Sequence, residues 1–417
     1  MAQEIINIGT IANDGTGDGL RDAFEKAQNN TTELYNLIQT NGFVLVNHKD
    51  KLPAAVSNAI NFEGNVTYYI TNNIDLTGDR IILGENTTII GGSSENCSIT
   101  STGLGVGVPL ITGNYSAPIR HIAIKDVDTA FDLDGTGNTM ALDWTGLNLV
   151  NVPNVGTITE ASNWIYSKGA FLNSQGLKFD GTVGTIGIDN SLFVGDGTAG
   201  NIIEILPTAT INTRFRTIYS SVVAFGSTVG IDVDASATIG NEDFILDNVN
   251  FSGGSTYLGG IDHTDNKSLF VNCNGITNSS EIASYYMNNN ATVTTITTVD
   301  TAVKIEGTTT DSAVTQKFTH TNNRQTYVGS ITRFFKVSAT VSFDSGNNKV
   351  VGCYIYKNGV EVTESEVYGT TNGSGRAENV TIQAILELQT NDYVEIWIEN
   401  STDTTNVTVT DLNVILQ

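Results

Sequence analysis

The sequence predicts a mainly β chain: a short N-terminal helical segment, then a right-handed parallel β-helix, then a C-terminal jelly-roll β-sandwich. Three observations predict it. Glycine is abundant (42) and proline scarce (5), with threonine and asparagine prominent, a composition that favours many strands and many tight turns. From residue 65 to about 307, short β-rich runs recur between Gly, Asn and Asp turns, at a coil of roughly 20–25 residues. From residue 316 the runs lengthen and alternate strictly, which is the pattern of a half-buried antiparallel strand.

These changes of texture divide the chain into residues 1–42, 43–64, 65–312 and 313–417. In the first segment a glycine-broken loop runs from Gly9 to Gly19, and a helical pattern follows from Leu20. Asp18 is placed to cap that helix and Asn41-Gly42 to stop it. Its apolar or small positions are Leu20, Phe24, Ala27, Thr31, Leu34 and Ile38, spaced four, three, four, three, four. So narrow a stripe cannot bury itself alone, and copies of the same helix are the nearest partners.

Residues 43–64 read as a connector or cap, with Leu52 to Ile60 as a further short helix opened by Pro53. In the third segment, Thr67 to Ile70, Arg80 to Leu83, Thr87 to Ile90, His121 to Ile124 and Phe244 to Leu246 are strand-like. Leu246 to Phe251 and Leu269 to Asn274 put apolar residues inward and Asn at the bend. In the last segment the strands are Phe334 to Phe343, Lys349 to Lys357, Glu378 to Leu388, Tyr393 to Glu399 and Asn406 to Leu416. Asn358-Gly359 is a two-residue hairpin turn between strands.

The formal charge is −24, a field that repels nucleic acid and anionic membrane surfaces. The N-terminus carries no signal-peptide pattern, and no run of 18 apolar residues occurs, so membrane insertion is not expected. Cys97, Cys273 and Cys353 are odd in number and far apart. They signal neither a zinc site nor a disulfide framework and are expected as small buried hydrophobes. His48, His121, His263 and His320 form no ligand spacing; no metal and no cofactor is predicted.

Candidate chemistry is confined to acids and aromatics. Residues two apart on a strand point the same way, so Asp126/Asp128, Asp132/Asp134 and Asp232/Asp234 would each present two carboxyls about 6–7 Å apart. Glycoside hydrolysis needs such a pair, with one member held protonated. With 44 acids in the chain, such pairs also arise by chance, and no catalytic residue is assigned. Trp144 and Trp164 lie about one coil apart and are the candidates for stacking a glycan. The competing reading is bulk inside the solenoid.

Three stretches resemble known families. Gly9-Thr10-Ile11-Ala12-Asn13-Asp14-Gly15-Thr16-Gly17-Asp18-Gly19-Leu20-Arg21-Asp22-Ala23-Phe24-Glu25-Lys26, then Asn29-Asn30 and Glu33-Leu34-Tyr35, resembles the N-terminal segment of tailed-phage fibres and spikes. It departs at Thr31, where that family has an aromatic. The resemblance implies attachment to another virion protein, through Asn13, Asp14, Gly15, Gly17, Asp18, Leu20, Arg21 and Phe24. Ile74-Asp75-Leu76 to Ile89-Ile90-Gly91-Gly92 resembles the first coils of pectate-lyase-like β-helices. Tyr354 to Val360 with Leu388 to Ile398 and Val409 to Leu416 resembles the C1q/TNF-like heads that end many phage fibres.

The resemblances imply a homotrimer, with Leu20, Phe24, Leu34, Tyr354, Tyr356, Tyr393 and Trp397 as trimer contacts. They imply a virion protein made in the bacterial host cytoplasm and mediating adhesion to a host-surface polysaccharide or receptor. The alternatives are a tailspike depolymerase using paired carboxylates and a head fibre decorating the capsid without enzymatic activity.

Overall fold

The structure is a computed structural model that describes residues 5–7, 15, 17–40, 42–240, 244–373 and 376–417, with the backbone alone described for 33–40. It is mainly β: a parallel β-solenoid of about nine turns, one short helix, and antiparallel sandwich sheets near the C-terminus. One compact unit comprises Met1–Gly240, Leu246–Gly260 and Cys273–Ile276. The other comprises Asn241–Ile245, Ile261–Asn272 and Thr277–Gln417.

Each solenoid turn contributes strands to three ladders, every one pairing in parallel with its counterpart one turn later. In the first ladder, Tyr68 pairs with Ile89, Ile89 with Ile119, Ile119 with Trp144 and Trp144 with Tyr166. In the second, Ile60, Ile81, Ile111, Phe131, Gly156, Leu177, Ile203 and Ile231 stand in one column. In the third, the column is Ile74, Ile99, Ile124, Leu149, Phe171, Phe193, Val222 and Phe251. These columns point inward and are buried, Gly156 completing the second without a side chain. Burying each such side chain contributes about 1.5–3 kcal/mol. Gly156 has φ +112, and a Cβ there would lie 1.8 Å from the Phe131 carbonyl oxygen, so no side chain fits that rung.

Single residues in left-handed conformation make the bends. His121, Gly146, Lys168, Asn190 and Tyr219 occupy one column of bends. Their N–H groups donate to Thr145, Ser167, Asp189, Ile218 and Asp247 of the following turn at 2.7–3.1 Å. Asn248 and Asn272, expected at bends, are left-handed as well. A second column runs through Asp126, Asn151 and Asn173. There Asn151 Nδ2 donates to Asp126 Oδ1 (2.7 Å) and Asn173 Nδ2 to Asn151 Oδ1 (3.1 Å). Asn and Asp tolerate this conformation best.

Two expectations are corrected at the start of the stack. The helix expected from Leu52 to Ile60 is a 3-10 turn at Lys49–Lys51 followed by strand Ala59–Asn61. Ser57 and Asn58 both have positive φ, which stops any helix there, and pairing with Arg80–Ile82 recruits the strand. The stretch expected as connector already belongs to the solenoid, because Phe43–Val46 pairs with Thr67–Ile70.

In the C-terminal unit, strand Arg333–Asp344 lies between Glu378–Leu388 and Val407–Leu416, and strand Asn347–Lys357 lies beside Tyr393–Asn400. Their alternating residues meet in one apolar core. Asn358 (φ 55) and Gly359 (φ 76) turn the predicted hairpin. Strand Ala283–Met287 pairs with Val407–Leu416, so this sandwich takes in residues well before position 313. All three cysteines are free and buried.

The solenoid core is aromatic at its middle turns. Trp164 stacks on Tyr166 (5.5 Å, 10°) and meets Trp144 (5.6 Å) and Phe179 (5.2 Å) edge-on. Trp164→Ala is expected to destabilise the solenoid by about 3–5 kcal/mol, read as a lowered urea midpoint by far-UV circular dichroism.

Candidate functional site

The candidate glycan platform is overturned. Trp144 and Trp164 are both 0% exposed, inside the coil. Leu142 and Trp144 share the inward side of strand Ala141–Thr145, and the solenoid interior is the only apolar place for them.

Two of the acid pairs separate, and the third stays together without the character of a catalytic pair. Asp126 is a left-handed bend residue outside any strand, so the two-residue alternation fails. It binds Asn151, while Asp128 accepts the Gly107 N–H (2.7 Å). Asp232 accepts from Asn201 (3.2 Å), whereas Asp234 lies past the strand end and caps Ser236 (2.7 Å). Asp132 and Asp134 do share the exposed face of strand Thr129–Asp134. Asp134 is committed to the Thr136 hydroxyl (2.6 Å) and N–H (2.9 Å), which hold its carboxyl below the usual value. That is the wrong direction for a general acid. Among the described residues no three His, Cys, Asp or Glu side chains gather as a metal site.

What sequence reasoning missed lies beside Asp134. An open cavity of about 460 Å³ is lined by Gly135, Asn138, Thr139, Glu160, Ser162, Thr182, Gly184 and Asn212, among others. Two successive turns make room for it. The ladder register shifts between Thr159 and Ala161, and again between Val183 and Thr185. The extra residue lies on the later strand each time, at Gly181-Thr182 opposite Glu160 (φ 53) and at Asn212-Thr213 opposite Gly184. A bulge re-aims a side chain and bends its strand. Here the Glu160 carboxylate lies over Gly181, where a Cβ would come within 2.5 Å of Oε1. At Gly184 a Cβ would meet the Ser162 carbonyl oxygen at 2.0 Å, so the floor is bare backbone.

Glu160 is the one charged residue in that lining; the rest offers amides, hydroxyls and peptide groups. Such a lining supplies donors and acceptors that can hydrogen-bond the hydroxyls of a ligand. The ladder aligns Asp134, Thr159 and Asp180, so the two acids stand two rungs apart, about 10 Å between backbones. Asp180 is occupied by the Gly181 N–H (2.7 Å) and the Thr208 hydroxyl. The only sequence signal for the cavity was the glycine-rich spacing around Glu160, and glycine recurs throughout the chain.

The N-terminal segment is described in part. Asn13 and Asp14 lie outside the described residues, as does the Leu34 side chain. Gly15 and Gly17 precede helix Leu20–Thr40. Asp18 does not cap the helix backbone: its carboxylate pairs with the Lys26 side chain on the helix (2.7 Å) and accepts from the Asn7 N–H (2.9 Å), which lower its pKa. Gly19 caps instead, its carbonyl accepting from Ala23 N–H (2.9 Å). Leu20 and Phe24 are 76% and 68% exposed, and Arg21 is exposed too, so the start of the helical stripe is uncovered within the chain.

The four sandwich aromatics sit on one side of one sheet. Tyr356 stacks on Trp397 (4.2 Å, 9°) and Tyr393 lies under the Arg324 guanidinium (3.9 Å). Tyr354 differs from expectation in being buried, at 3% exposure, because its hydroxyl reaches Tyr368 (2.9 Å) and Glu366 (3.1 Å). Hydrogen bonding to Glu366 pushes Tyr368 up to about 12. At the centre, buried Glu395 accepts from Lys304 (2.8 Å), Arg324 (2.8 Å) and Trp397 (3.1 Å). Burial raises its pKa, but these three donors outweigh burial and the net shift is downward.

No helix among the described residues is long and apolar enough to cross a membrane. No protein-family model matches the chain, and no curated protein matches it. Similar solved structures include murine APRIL at pH 5.0 (6% identity, TM-score 0.25, 33% of this chain and 98% of that one). Others are rabbit GITRL (9%, 0.19, 32% and 91%) and the PRD1 vertex protein P5 (10%, 0.23, 32% and 93%). TM-scores this low carry no functional argument.

Because the Glu395 pKa is depressed in the fold, its stabilisation is complete at neutral pH and is lost as pH falls through the carboxylate range. Glu395→Gln should therefore lower the sandwich's urea midpoint at neutral pH, and the gap to wild type should narrow as pH falls below the ordinary carboxylate range.

Proposed function

We propose that this chain is a homotrimeric fibre or spike subunit of a tailed-phage particle, held to another virion protein through residues 1–42 and binding a host-surface glycan. The observation that carries the reading is the nine-turn parallel stack. Its strands hydrogen-bond from turn to turn, which makes a stiff body suited to display. The phage-like N-terminal segment supports attachment. The uncovered Leu20 and Phe24 stripe supports a helix that needs partners. The aromatic face around Tyr356 and Trp397 supports a contact between sandwich copies.

The glycan site in this reading is the cavity at Glu160, in place of Trp144 and Trp164. A second reading, depolymerase, draws on Asp134 and Asp180 standing about 10 Å apart beside the cavity, near the spacing of inverting enzymes. Their existing hydrogen bonds favour binding over cleavage.

The test combines sedimentation with incubation of the protein in host capsular and O-antigen polysaccharides, assayed for bound polymer and new reducing ends. A trimer that binds without cleaving is expected. Glu160→Gln should weaken binding by about tenfold, a loss of about 1.4 kcal/mol, with an unchanged circular dichroism spectrum. New reducing ends would install the depolymerase reading. A monomer that binds nothing would remove both.

A further inference from the structure

The three outer faces of the solenoid differ in charge. On the second ladder the outward column reads Asn61, Ile82, Thr112, Asp132, Thr157, Lys178, Glu204 and Asp232. The first ladder carries the Arg120–Asp143 ion pair. On the third ladder, charge stops at Lys125. Beyond it one outward column is Val150, Leu172, Val194, Val223 and Ser252. Its neighbour is Asn148, Ala170, Leu192, Ser221 and Asn250. Five successive rungs, spanning about 19 Å, hold no outward charge. Leu172 and Leu192 are 36% and 37% exposed, and at the bends beside the strip so are Tyr219 (64%) and Phe225 (37%). The nearest charges sit at the bends: Lys168, Asp189 and Asp247 on one side, Asp126 and Asp196 on the other.

We propose that this face is where a second copy of the same chain docks, solenoid against solenoid. The inference rests on the homo-oligomeric reading above and names a surface that reading does not. Copies of a chain of formal charge −24 repel wherever acids oppose each other, and this strip is the long face where they do not. A second copy has the same inter-turn spacing by construction and so keeps its apolar rows in step with these rows along the whole strip. The strip is about 10 Å wide, so it offers roughly 200 Å², against about 800 Å² per partner in a standard interface. It is therefore the apolar centre of the contact. The asparagine-lined bends, Asn151 and Asn173 on one side and Asn190 and Asn248 on the other, form the polar rim.

The test uses full-length protein with one new thiol at a time: Leu192→Cys and Ser221→Cys on this face, Asp132→Cys on the charged face. The native cysteines are buried. Maleimide labelling is timed in the assembly and divided by the rate for the same thiol in guanidinium, while sedimentation fixes the oligomeric state. Protection at positions 192 and 221 should exceed that at 132 by at least tenfold, and Leu172→Lys should shift sedimentation toward smaller species. An oligomer with equal protection at all three sites overturns the docking face and leaves the homo-oligomer standing. A monomer at every concentration overturns both.

Discussion

The interaction on which this molecule depends is the backbone hydrogen bond between one solenoid turn and the next. A parallel strand has no hairpin partner, so each turn is satisfied only by its neighbours, and no single turn is stable alone. The register must be kept although the turns differ in length. Tyr68 pairs with Ile89 after 21 residues, whereas Ile81 pairs with Ile111 after 30. The loops absorb nearly all of the difference, and the ladders take up only the single extra residues opposite Glu160 and Gly184. A bend must therefore repeat at the same place in each turn, and the left-handed residues from His121 to Asn248 supply it.

Stacking in register has a second consequence: chemical character becomes a property of columns. One residue type at one rung decides little, but Val150, Leu172, Val194 and Val223 in line make an apolar row. Likewise Ile74 to Phe251 make an unbroken inner wall. The sandwich unit handles polarity differently. There, one buried carboxylate, Glu395, gathers two cations and an indole, and the aromatics of the sheet pack around that centre. Removing one member would leave charge unmatched, which is why such clusters matter more than their number of bonds suggests.

What was legible in the sequence was local. The helix start at Leu20, the Asn358-Gly359 turn, the long alternating strands of the sandwich and the asparagine bends each follow from a few neighbouring residues. What failed depended on the next turn. Asp126 was read as a strand residue because nothing nearby marks it as a bend; its role comes from the stacking of Asn151 and Asn173. The expected helix before Ile60 lost to pairing with a strand 21 residues on. Trp144 is the instructive error, since Leu142 and Trp144 alternate with Ala141, Asp143 and Thr145, and that alternation already put the indole on the apolar side.

Glu160 was invisible for a deeper reason. A regular solenoid makes its outer surface a flat lattice of side-chain rows, with little concavity to hold a ligand. Concavity appears where the lattice is broken, and here two adjacent turns each carry an extra residue at nearly the same angular position. One such insertion would be a local kink. Two in succession open a depression about two rungs tall, floored by glycine backbone and edged by the Glu160 carboxylate opposite the first insertion. Register breaks are thus to a stacked fold what loop clusters are to a sandwich or barrel: the places where a specific site is made without disturbing the scaffold. In such a chain, aligned insertions in consecutive turns mark concavity in the outer surface, which a pair of acids on one strand does not.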